Sequence, residues 1–91
     1  MLTLSRAINE VLLIGDVIVR VVSLKPTIVI QVEEAGRIVP REFDRPAVGA
    51  NPTFKVGLST VMLVGFNRNG ELEIGVDAPR TVRIVRGELL E

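Results

Sequence analysis

Apolar and polar residues alternate along this chain with a period of two, in short runs broken by glycine, proline and asparagine. Residues 1–6 set the pattern: Leu2, Leu4 and Arg6 fall on one face of an extended segment, Thr3 and Ser5 on the other. Val11–Ile14 is a second short apolar run, closed by the turn signal Gly15-Asp16. Val17–Leu24 (VIVRVVSL) is a third strand, ended by Lys25-Pro26, and Thr27–Val32 (TIVIQV) a fourth. Glu33-Glu-Ala-Gly-Arg37 then suits a hairpin connection containing glycine. Ile38-Val39 begins a return strand that Pro40 ends or confines to a sheet edge.

Two prolines, a glycine and an asparagine make Asp44–Pro52 (DRPAVGANP) a loop. Thr60–Phe66 (TVMLVGF) is apolar again, and Asn67-Arg-Asn-Gly70 ends in the Asn-Gly pair that suits a turn needing positive φ. Leu72, Ile74 and Val76 alternate with Glu71, Glu73 and Gly75, as in a strand with one wet face. Ala78-Pro79 breaks that strand, and residues 81–85 form the last one. Gly87–Glu91 starts a helix too short to hold without packing. The chain therefore reads as all-β, built of short strands in a single domain spanning 1–91. Residues 27–58 read as β-rich, because Thr27–Val32 favours a strand and Pro40, Pro46 and Pro52 disfavour a helix.

Composition sharpens this. The 47% hydrophobic content is rich in Val, Ile and Leu, which favours strands. The three aromatic residues are all Phe and lie scattered, which argues against a base-stacking platform. Eleven basic residues balance eleven acidic ones, so an anion site has to come from local clustering. With neither cysteine nor histidine, the chain lacks a thiol nucleophile and the commonest metal ligands and general base. No phosphate-cradling Gly-rich loop is present either, so no enzyme, cofactor or metal is expected. The apolar runs are too short for a spanning helix, and Arg6 and Glu10 interrupt any signal-like start; a cytoplasmic protein is expected. A chain of 91 residues buries only about 60–65% of its unfolded surface, so a subunit interface would help it.

Charge is clustered in one place. Arg80, Arg83 and Arg86 fall within seven residues around the last strand. Val82, Ile84 and Arg86 share a face there, as Leu2, Leu4 and Arg6 do at the other end of the chain. Two apolar rows each deliver an arginine.

These two ends resemble the carbon storage regulator (CsrA/RsmA) family of translational repressors. The N-terminal match is Met1-Leu2, Leu4, Arg6, Glu10, Leu12 and Ile14-Gly-Asp16; the C-terminal one is Ile74-Gly-Val-Asp-Ala-Pro79, Val82, Ile84, Arg86 and Glu88. The resemblance covers about 1–24 and 60–91 and leaves an inserted segment that spans about 25–59 or begins earlier. Val17–Leu24 and Thr60–Phe66 both fit the family strand that follows Ile14-Gly-Asp16. Ala7 replaces a second arginine, the loop Gly65–Gly70 is longer, and the C-terminal helix is minimal.

The resemblance implies an interlocked, barrel-like homodimer, with the first strand beside and parallel to the partner's last. It also implies that RNA carrying GGA in a hairpin loop binds along that seam. The residues it assigns to RNA are Leu4, Ser5, Arg6, Ala78, Pro79, Arg80, Val82, Ile84 and Arg86. Arginine suits the task, since its planar fork holds phosphate or the edge of guanine. Two readings follow: a post-transcriptional regulator that represses translation or alters mRNA stability, or a protein-interaction or assembly module with weak RNA binding. The first leaves room for a protein antagonist.

Overall fold

In the computed structural model, which describes residues 1–45 and 50–87, the alternating segments become nine strands. They are β1 (Leu2–Arg6), β2 (Val11–Ile14), β3 (Val17–Ser23), β4 (Thr27–Glu34), β5 (Arg37–Asp44), β6 (Thr53–Val56), β7 (Ser59–Phe66), β8 (Leu72–Asp77) and β9 (Ile84–Arg86). No α-helix occurs among the described residues. The strands form two antiparallel sheets, one ordered β1-β8-β7-β6 and the other β5-β4-β3-β2-β9.

Alternation decides what goes inside. In β3, Val17, Val19 and Val21 are buried while Ile18, Arg20 and Val22 turn outward. Leu12, Ile28 and Ile30 of the second sheet meet Val61, Leu63, Leu72 and Ile74 of the first in one hydrophobic cluster. Each fully buried Leu or Ile contributes about 1.5–3 kcal/mol relative to exposure.

The two sheets are built on the same three-strand meander. Leu12 pairs with Val19 and Ile14 with Val17; 42 positions later, Phe54 pairs with Val61 and Val56 with Ser59. Both hairpins turn on a glycine in the left-handed region, Gly15 at φ 60° and Gly57 at φ 59°. The third strands match as well: Val21 pairs with Ile30, and Leu63 with Ile74. A β-bulge lies between Val21 and Ser23 in one meander and between Leu63 and Gly65 in the other. The outer strands cross over. β1, from the N-terminus, completes the C-terminal meander by pairing with β8, and β9, from the C-terminus, completes the N-terminal meander by pairing with β2. One chain thus exchanges strands between its own halves, with a radius of gyration of 12.2 Å. That is the size of a compact domain of this length.

Several sequence expectations shift. Val17–Leu24 and Thr60–Phe66, which competed for one role, are equivalent strands of the two meanders, β3 and β7. Thr53–Val56, read as part of no element, is β6; its four residues alternate exposed and buried. The last strand is Ile84–Arg86 rather than 81–85, because Val82 N–H donates to Pro79 O at 3.0 Å and closes a turn there. Pro40 does not end β5. It stands opposite Gln31, between the bonded pairs set by the Ala35-Gly36 hairpin, so its missing N–H faces the open edge. The helix expected at 87–91 falls, apart from Gly87, outside the described residues.

Candidate binding cleft between two sheet edges

β1 and β9 are edge strands of different sheets, and a cleft of about 630 Å³ opens between them. Leu2 and Leu4 of β1 form one wall; Leu12 and Leu13 of β2, Gly15, and Arg83 to Arg86 form the other. Its floor is apolar. Its only charged lining residues among those described are Arg83 and Arg86. Both are exposed, and their side chains, like that of Arg80, make no hydrogen bond or ion pair to any described residue. β9 is held in place by Leu13 opposite Val85 and by Gly15 N–H donating to Arg83 O at 2.8 Å. Val82 packs over this turn, within 3.7 Å of where a side chain on Gly15 would begin.

Of the nine residues expected at an RNA site, Leu4, Ile84 and Arg86 line this cleft. Arg6 does not. Its side chain is 5% exposed, and its guanidinium donates from Nε to Ser5 O at 2.6 Å and from Nη1 to Val11 O at 3.2 Å. Glu10 lies 3.9 Å from Arg6 Nε and accepts from Ala7 N–H at 2.6 Å, so the 6–10 turn is tied to Arg6. The two arginines nonetheless converge through β2: Arg6 reaches Val11 O, and Arg86 stands opposite Leu12. Arg6 builds the wall on which Arg86 sits.

The remaining expected residues surround the cleft rather than form it. Ser5 is half-buried on the far face of β1, where Asn67 Nδ2 donates to its hydroxyl at 3.3 Å. Ala78 packs against the core, and Pro79 and Arg80 are exposed in the turn before β9. Leu13, Gly15 and Val85 were not anticipated. Leu13 could have been flagged as the outward partner in an alternating run, but its neighbour β9 is distant in sequence.

No protein-family model, curated protein or solved structure matches this chain. Among the described residues, no group of three or more Asp or Glu is placed to hold a metal ion, and no helix is long and apolar enough to cross a membrane.

Proposed function

We propose that the chain is an RNA-binding post-transcriptional regulator that takes a GGA-containing hairpin loop into the β1–β9 cleft. The observation carrying this reading is an apolar trough between two strand edges, bordered by two arginines whose side chains bond no described residue and by no described acid. Splayed bases would pack on Leu2, Leu4 and Ile84, while Arg83 and Arg86 hold phosphate or guanine edges. Backbone groups on the edges of β1 and β9 that no described strand covers add hydrogen-bonding capacity. The resemblance at both chain ends supports the same assignment. Bound this way on a messenger RNA, the protein would block ribosome access or change transcript stability.

Both walls come from one chain, so the cleft does not require the partner strand that the interlocked homodimer implied by the resemblance would supply. Gel-shift and fluorescence anisotropy with a GGA hairpin and a scrambled-loop control test the reading. Arg83→Ala and Arg86→Ala should each weaken binding by roughly 1–3 kcal/mol, about tenfold to a hundredfold. The affinity should fall with salt at a log–log slope of about −1.4, as two phosphate contacts to a single strand require. Equal affinity for the scrambled loop, or no binding of either, would favour the interaction-module reading.

A further inference from the structure

The internal repeat leaves one strand position empty among the described residues. In the second sheet, β9 covers the outer edge of β2; in the first, no described strand covers the outer edge of β6, which is the equivalent of β2. Leu63 N–H donates to Pro52 O at 3.0 Å, which sets the phase of the β6–β7 ladder. The backbone N–H and C=O of Thr53 and Lys55 therefore point away from β7. Lys55 and Gly57 stand where Leu13 and Gly15 stand in the other meander, and those two receive β9.

A second cleft, of about 370 Å³, lies along this edge. Val39 and Arg41 of β5 border it in the positions that Leu2 and Leu4 of β1 hold on the first cleft, because β5 lies on β4 in the register of β1 on β8. Among the described residues its charged lining is Arg37, Arg41 and Lys55 against Glu34. We propose that β6 accepts an extended segment of another protein as an added antiparallel strand, and that this segment alternates apolar with acidic residues. The apolar residues pack toward Val39 and Val56, and the carboxylates meet Arg37, Arg41 and Lys55. The backbone supplies affinity and the alternating side chains supply selection, the general logic of strand addition. A second copy of this chain offering the same edge would set Lys55 and Arg41 against their own counterparts, which disfavours self-pairing. RNA matches the charge, but the equivalent row of backbone donors and acceptors on β2 receives a strand, so a strand is the occupant that the repeat favours here.

The test uses a labelled peptide of about ten residues alternating valine and glutamate, with a valine–lysine peptide as control, against the full chain. Fluorescence anisotropy should give a Kd on the order of tens of micromolar for the acidic peptide and at least tenfold weaker binding for the basic one. Backbone amide shifts should centre on Thr53, Lys55 and Gly57. Lys55→Pro removes an outward N–H together with the Lys55 ammonium, which also donates to Thr60 Oγ1 at 2.6 Å, keeps the backbone bonds to β7, and should weaken the acidic peptide at least tenfold. Should that variant misfold, the double substitution Arg41→Glu with Lys55→Glu keeps the backbone and should reverse the preference between the two peptides. Shifts confined to other strands, or a preference that the double substitution leaves unchanged, overturn the proposal. So does tighter binding of a single-stranded RNA to the β6 resonances than of the peptide, or self-association that Lys55→Pro abolishes.

Discussion

Arg6 and Arg86 match the same sequence pattern, yet the structure gives them opposite work, and their alanine variants should separate cleanly. Arg6→Ala removes a guanidinium that donates to Ser5 O and Val11 O from a site 5% exposed. A hydrogen bond involving a charged group contributes about 1.5–3 kcal/mol. Val11 O is also crowded: a side chain on Gly87 would begin 2.9 Å from it, so little room exists for water to replace the guanidinium. Together these give a loss of about 2–4 kcal/mol, a large share of the roughly 5–10 kcal/mol that holds a small domain. At about 4–8 °C per kcal/mol, Tm should fall by roughly 8–32 °C. Arg86→Ala removes an exposed side chain and should move stability by no more than about 0.5 kcal/mol. Thermal denaturation followed by circular dichroism measures both, and hairpin affinity is taken below the lower Tm. Arg6→Lys should fall between, since one ammonium replaces a fork. A Tm for Arg6→Ala within about 2 °C of the parent, with RNA affinity lost as in Arg86→Ala, would refute the division of labour.

Other outcomes follow from the same geometry. Gly87→Ala places a Cβ 2.8 Å from Val11 Cβ and 2.9 Å from its carbonyl, so urea denaturation should show a loss of about 1–3 kcal/mol. Gly75→Ala meets only the flexible end of Met1, at 2.7 Å from its sulfur, and should cost under about 1 kcal/mol. Leu63→Ala, at a fully buried position of β7, should cost about 2–5 kcal/mol in the same assay. Arg45 lies 4.3 Å over the Phe66 ring, and a double-mutant cycle of Arg45→Ala and Phe66→Ala should return a coupling of about 0.5–1 kcal/mol. Sedimentation should find a folded monomer at micromolar concentration with one hairpin bound per chain; an obligate dimer would return the cleft to two chains.

Much of the strand inventory was legible because burial in a sheet imposes period two on the sequence itself. Val17, Val19 and Val21, and likewise Leu72, Ile74 and Val76, announce an inward face before any partner is known. Glycines were legible where a turn needs positive φ, as at Gly15 and Gly70. The repeat was not. Along the first two strands of the meanders the shared identities are few, Gly15 with Gly57 and Val19 with Val61 among them, because a buried position asks for an apolar side chain and not a particular one. β6 escaped notice for a related reason: four residues, one of them Lys55, carry too little pattern to stand out.

The candidate site divides along the same line. The sequence by itself determined that the chain is all-β, that its positive charge gathers at Arg80, Arg83 and Arg86, and that apolar rows near both ends finish in arginine. Whether an arginine at the end of such a row faces solvent depends on what lies across from it, and that is a contact distant in sequence. Only the tertiary structure set Arg6 against Val11 O and left Arg86 on an edge, and only it brought β1 and β9 to one cleft within one chain. Strand pairing is chosen by how two apolar faces close over a shared core, a condition that no single strand carries in its own residues.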